Sequence, residues 1–280
     1  GLCPTPHKGT SPLDPGCMGE QLAQQATGPG HFAVEFRGVS FNYTPFETSE
    51  FILKNINFVA RRGWTVGIVG ATGSGKTTLV NLIARFYDAC KGEVFVNDVD
   101  VREYDILSLR KNIAYAMQDV FLYSDTVEGN IAFGVPNAPM DDVYKAAEIA
   151  DADGFIREMP DGYDTIVGER GVGLSGGQKQ RISLARAIAV NPEILILDDV
   201  TSAVDMETEH RIQSALTKMN AQANNNRTTF IVAHRLSSVK EADLILVLSH
   251  GEITERGTHD ILMKKNGYYA KQYKEQNPKN

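Results

Sequence analysis

Apolar and polar positions alternate from Val34 through Glu35, Phe36 and Arg37 toward Val39 and Phe41. A second run, Ile56-Asn57-Phe58, passes through an Arg62-Gly63 turn into Thr65-Val66-Gly67-Ile68-Val69. Period two broken by turn residues predicts strands. Leu79, Leu82, Ile83 and Phe86 then recur at spacings of three, four and seven, which predicts an amphipathic helix beginning near Lys76. Strand, glycine-rich turn and helix therefore follow in that order. Further strands are predicted at Glu93 to Val96, Ile113 to Ala116, Ile194 to Leu197, Thr229 to Val232 and Leu244 to Leu248, with Glu252 to Glu255 closing a hairpin through His250-Gly251. The stretch from Val127 to Ala189 carries no strong strand pattern and reads as mostly helical. The expected fold is α/β, a mixed, largely parallel sheet with a helical insertion after residue 120.

Composition changes this picture at the N-terminus. Residues 1–30 hold five of the eleven prolines and few apolar anchors, so a linker or tail is expected there and the folded domain over 31–280. The longest aliphatic runs, Ile194 to Leu197 and Leu244 to Leu248, are far shorter than the ~20 residues of a membrane span. A net charge of -7 leaves no basic field for a phosphate backbone, so nucleic acid is not expected as a partner. Cys3, Cys17 and Cys90 have neither disulfide-framework nor zinc-ligand spacing.

Candidate chemistry begins at Gly70-Ala71-Thr72-Gly73-Ser74-Gly75-Lys76-Thr77, followed by Thr78, between a predicted strand and helix. Two glycines four apart followed by Lys and Thr form a phosphate-binding loop: backbone N–H groups turn inward at a positive helix end, Lys76 reaches the β and γ phosphates, and Thr77 holds Mg2+. A purely structural glycine turn is the alternative. Ile194-Leu195-Ile196-Leu197-Asp198 reads as a central strand delivering a carboxylate to the same Mg2+, although any buried strand ending in a turn aspartate looks alike. Leu174-Ser175-Gly176-Gly177-Gln178 opens a helix with Ile182, Ala185, Ile188 and Ala189 on its apolar face. Ser175 suits an N-cap, and two glycines at a helix start suggest close approach to the backbone, for which a second phosphate is the candidate.

That pentapeptide is the identifying motif of ATP-binding cassette proteins, and from about Val34 onward the chain resembles the nucleotide-binding domain of an ABC transporter. The resemblance implies a P-loop NTPase core, an N-terminal antiparallel β subdomain and a helical subdomain over about 120–190, with ATP and Mg2+ as ligands. It also implies residue roles. Tyr43 would stack on adenine. Gln118 would touch Mg2+ and the attacking water, and couple to the membrane domain. His234 would contact the γ-phosphate. Asp205, in Ser202-Ala203-Val204-Asp205, would belong to the loop reaching across a cassette dimer, and Ser175, Gly176, Gly177 and Gln178 would complete the partner's ATP site.

Thr126-Val127-Glu128-Gly129-Asn130-Ile131, Thr165 to Gly171 and Gly257-Thr258-His259-Asp260 are similar to segments of exporter cassettes, with Gly129 where a glutamate is usual. The implied partners are an exporter's transmembrane domain, on the same or a separate chain, and a second cassette in a homo- or heterodimer. The implied location is the cytoplasmic face of an inner or plasma membrane, with this chain itself soluble. Asp199 stands where active cassettes carry a glutamate that polarises the attacking water. One methylene less displaces the carboxylate by more than about 1 Å, which can cost on the order of a hundredfold in rate. The expectation is ATP binding with slow turnover at this chain's own site, as in one half of an asymmetric pair; action through a water is the alternative. An ATPase of DNA repair or chromosome structure shares these motifs, but the chain between Gln118 and Ser175 holds neither a long coiled coil nor paired cysteines. A ribosome-associated cassette protein would need two cassettes in one chain.

Overall fold

A computed structural model describes residues 32–44, 50–168, 173–222 and 227–277. The tail expected over 1–30 and the Glu169-Arg170-Gly171 part of the exporter-like segment lie outside these. In chain order the strands are β1 (Phe32–Phe41), β2 (Leu53–Arg61), β3 (Thr65–Gly70), β4 (Lys91–Val96), β5 (Val99–Asp100), β6 (Ile113–Ala116), β7 (Asp125–Thr126), β8 (Ile166–Val167), β9 (Ile194–Asp198), β10 (Thr228–Val232), β11 (Leu244–Ser249) and β12 (Glu252–Gly257). The α-helices are α1 (Lys76–Ile83), α2 (Ile106–Lys111), α3 (Val127–Ile131), α4 (Met140–Ile149), α5 (Asp153–Arg157), α6 (Gly176–Ala189), α7 (Met206–Gln222), α8 (His259–Lys265) and α9 (Tyr268–Gln276).

One six-stranded sheet, ordered β12-β11-β3-β10-β9-β6, is parallel except for the β11–β12 hairpin. A four-stranded antiparallel sheet, β2-β1-β4-β5, forms a separate layer. The expected mixed α/β fold is thus present. The central strands β3, β9, β10 and β11 are mostly buried because both faces are covered, whereas the edge strand β12 is largely polar and exposed. Ile194, Ile196, Phe230 and Leu246 join the core that includes Phe36, Ile56 and Leu79, while the alternate residues Leu195, Leu197, Ile231 and Ile245 join the core that includes Ile182, Ile212 and Tyr269.

Two elements depart from the expected pattern. Helix α1 stops at Ile83, and Phe86 lies beyond it, after Arg85 enters the left-handed region at φ 49°. The otherwise helical stretch contains β8, paired with β7. A two-residue ladder is too short to register as alternation in sequence.

Parallel register has a direct consequence. Val232 pairs with both Asp198 and Ile68, and Ala116 pairs with Leu197. The carboxyl ends of β3, β6, β9 and β10 therefore meet at one edge, where ligands of open α/β sheets characteristically bind.

Candidate active site

The loop after β3 is built for close backbone approach. Gly75 caps α1 at φ 101°, where a side chain would be strained and would also meet Leu53 at 2.8 Å. A side chain on Gly70 would run into the carbonyl of Leu248. Ser74 N–H donates to Ala71 O at 3.2 Å, closing the turn. Lys76, only 6% exposed, donates through Nζ to Gly70 O at 2.9 Å and Ala71 O at 3.0 Å. Burial pulls its pKa below the usual lysine value, against the opposing pull of Asp198 and Asp199. The ammonium is thus held at the loop's mouth, close to two carboxylates.

Asp198, 2% exposed, ends β9 and has both oxygens engaged. The Thr77 hydroxyl donates to Oδ1 at 3.3 Å and the Tyr115 hydroxyl to Oδ2 at 3.1 Å. Burial raises its pKa, and those two hydrogen bonds act the other way. Tyr115 also reaches Asn81 at 3.0 Å, and burial followed by Asp198 pushes its own pKa up. Nothing in the sequence pattern singles out Tyr115, because its importance comes from β6 lying beside β9. A hydroxyl and a carboxylate, hard oxygen donors facing one another, suit Mg2+. Among the described residues no group of three or more His, Cys, Asp or Glu side chains could hold a metal.

Asp199 turns the chain away from the sheet at φ 53°, its N–H bonded to Val232 O at 3.0 Å. Its Oδ2 lies 4.0 Å from His234 Nε2, too long for a direct hydrogen bond and short enough to share a water. Helix α9 grips the histidine's backbone: Gln276 donates through Nε2 to His234 O at 3.1 Å and accepts from Leu236 N at 2.8 Å. Gln118 is exposed, two residues beyond β6 at the same sheet edge.

Tyr43 is 45% exposed, with its hydroxyl 3.0 Å from Thr78 Oγ1 and its ring held edge-on by Phe41 at 5.0 Å and Tyr87 at 4.9 Å. An oriented, half-exposed aromatic thus stands beside the phosphate loop's helix.

The remaining sequence-flagged residues form a second group. Ser175 and Gln178 make a capping box at the start of α6, with bonds of 2.9 and 3.2 Å. A side chain on Gly177 would meet Ala203 O at 2.8 Å, whereas one on Gly176 would make only ordinary contact with Ala203 at 3.6 Å. Close approach therefore comes, at Gly177, from this chain's own Ser202–Asp205 loop. Gln180, buried one turn into α6, holds that loop through Ser202 Oγ and Ala203 N, each at 3.1 Å. Asp205 caps the start of α7 through Thr208 N and Oγ1, both at 2.9 Å. These hydrogen bonds hold its exposed carboxyl below the usual range.

A third surface lies beyond Gln118. Phe121 is 63% exposed, Tyr123 stacks on Phe133 at 4.2 Å, and Arg186 of α6 sits 5.2 Å over the Tyr123 ring while donating to Phe121 O at 2.9 Å.

A sequence model of the ABC transporter family matches residues 53–202. The chain is 51% identical over 250 residues to an ABC transporter ATP-binding protein, YknU, of Bacillus subtilis strain 168, covering 89% of this chain and 41% of that protein. It is 50% identical over 239 residues to an ATP-dependent lipid A-core flippase of Pseudomonas fluorescens strain Pf0-1, covering 85% of this chain and 39% of the flippase. A bacterial Atm1-family ABC exporter solved with ATP bound superposes with a TM-score of 0.82 at 38% identity, over 90% of this chain and 43% of the exporter. The chain thus spans about two fifths of the length of these relatives. The DNA-repair alternative finds no support among them. Among the described residues no helix is long and apolar enough to cross a membrane.

Proposed function

The chain belongs to the ABC transporter family, and on that premise we propose that it is the ATP-binding and hydrolysing cassette of an exporter, driving transport by nucleotide-dependent pairing with a second cassette. The observation that carries this reading is the sheet-edge cluster in which Lys76, Thr77, Asp198, Asp199 and His234 stand around a backbone-lined loop.

In this mechanism the phosphate-loop N–H groups and Lys76 bind the β and γ phosphates, with Ala71, Thr72, Gly73 and Ser74 supplying backbone between the flanking glycines. Tyr43 stacks on the adenine. Thr77, Asp198 and Gln118 would hold Mg2+, which when bound neutralises charge on the phosphates. Asp199 orients the attacking water, and His234 meets the γ-phosphate. Ser175, Gly176 and Gln178 serve the partner's nucleotide from across the interface, and Asp205 ends the loop that meets it. Asp199, one methylene shorter than the usual glutamate, is the ground for slow turnover at this chain's own site, because a shorter carboxylate reaches the water less well.

The exposed aromatic patch of Phe121, Tyr123 and Phe133, adjoining Gln118, supports a docking role toward a transmembrane domain. Such a domain would place the cassette at the cytoplasmic face of a membrane. Of an identical and a different second cassette, Asp199 favours the different one, which would supply the usual glutamate.

Titration calorimetry with Mg-ATP tests the reading. Lys76→Ala removes a charge-assisted contact worth about 1.5–3 kcal/mol, so affinity should fall roughly ten- to a hundredfold. Equal affinity in parent and variant would remove the phosphate-loop assignment.

A further inference from the structure

Two segments that this chemistry needs converge on a buried carboxylate to which it assigns no task. Glu209, on the inner face of α7 and 5% exposed, accepts from the Thr201 hydroxyl at 3.2 Å, from the Arg235 guanidinium at 2.6 Å and from the Ser238 hydroxyl. Thr201 lies two residues after Asp199, and Arg235 directly follows His234. Arg235 also donates to Val204 O at 3.3 Å, in the loop that ends at Asp205.

A carboxylate is costly to bury unless it is paired and hydrogen-bonded. One that served only its own helix would find partners in α7 or in solvent. All three side chains bonded to Glu209 lie outside α7, in the segments that carry Asp199 and His234. Those segments leave adjacent strands β9 and β10, whose ends are tied by the Asp199 N–H to Val232 O bond, but beyond that point both run outside the sheet, the second through a 3-10 turn at Leu236–Val239. Asp199 moreover sits at φ 53°, a conformation that its surroundings must hold in place.

We infer that Glu209 is a positioning residue that locks the Asp199 and His234 segments together, so that the group facing the water and the group facing the γ-phosphate move as one unit. The inference rests on the roles of Asp199 and His234 proposed above. The planar guanidinium of Arg235 matters to the lock, because it presents one nitrogen to both Glu209 and Val204 O in fixed geometry.

Two substitutions in this chain separate positioning from plain stabilisation. Glu209→Gln keeps the shape and loses the charge. Thr201→Val removes only the link toward Asp199. Both are compared with the parent by Mg-ATP calorimetry, by steady-state phosphate release at saturating Mg-ATP, and by the 15N signals of the His234 ring. ATP affinity should stay within about twofold, since the phosphate loop is untouched. Turnover should fall about tenfold in Glu209→Gln and by less in Thr201→Val, the scale of a modest misplacement of catalytic groups. The His234 ring signals should shift in Thr201→Val, although Thr201 belongs to the other segment. Should Glu209→Gln fail to fold, Thr201→Val carries the comparison. Unmoved His234 signals in the folded variants would overturn the inference whatever the turnover. Loss of turnover in a parallel His234→Ala variant with none in Glu209→Gln would overturn it alone, whereas no loss in His234→Ala would overturn the site assignment beneath it.

Discussion

Asp199 combines two effects that pull in opposite directions. Aspartate tolerates the left-handed region, where it sits at φ 53°, better than longer side chains do. Its side chain is one methylene shorter than a glutamate, and Oδ2 lies 4.0 Å from His234 Nε2. Asp199→Glu should therefore raise the turnover of a self-paired chain about ten- to a hundredfold while lowering stability by roughly 1 kcal/mol. Phosphate release and thermal melting on the same preparation check both halves. His234→Ala in that background should remove most of the gain, because the γ-phosphate and water lose their second positioning group. A parent already as fast as the glutamate variant would make Asp199 a competent base. At this scale Lys76 and Thr77 are legible in sequence from motif spacing, and Asp198 gains its meaning only beside them, because any buried strand ending in a turn aspartate looks alike. Tyr115, Gln180 and Glu209 are not, because their partners lie 83, 22 to 23 and 8 to 29 positions away. Glu209 had one available signal: it shares the buried face of α7 with Ile212 and Leu216, and a charge on an apolar stripe needs a partner.

The start of α6 shows how an element carries two demands at once. Gly177 must accommodate the backbone of Ala203, so Gly177→Ala should destabilise by about 1–3 kcal/mol despite alanine's better helix propensity. Gly176→Ala meets only ordinary contact and should be neutral or slightly stabilising while impairing the partner's ATP site. Urea denaturation of the two variants distinguishes them. The C-terminal element has a pH dependence of its own. His259 Nδ1 lies 2.9 Å from the Tyr269 hydroxyl, and burial, followed by Lys240, holds its pKa below the ordinary histidine value despite Asp260 and Glu241. The folded state therefore prefers neutral His259. Its contribution is complete above the unfolded value of about 6.5 and is lost as pH falls through the depressed folded value. Protection of α9 amides from hydrogen exchange should accordingly weaken on going below about pH 6.5, and less so in His259→Gln. Unchanged pH dependence in that variant would assign the effect elsewhere. Long elements such as β1 and α6 are readable from periodicity, whereas the end of α1 and the β7–β8 pair depend on backbone conformation and a short non-local pairing.

Across the whole molecule, parallel strand order brings residues as distant as Lys76 and His234 to one edge. The glycine motif at α6 lies in a second group, knitted to the Ser202–Asp205 loop by Gln180 and Gly177. This division could not be read from motif spacing, which is silent about whether the motif completes its own site or another molecule's. The central claim is that ATP is turned over between the phosphate loop of one cassette and the Ser175–Gln178 turn of a second. Phosphate release per molecule at saturating Mg-ATP, measured over a wide range of protein concentration, tests it most directly. Specific activity should rise with concentration for the parent, and the rise should be lost in Gly176→Ala. A specific activity independent of concentration, and equal in the two chains, would contradict it.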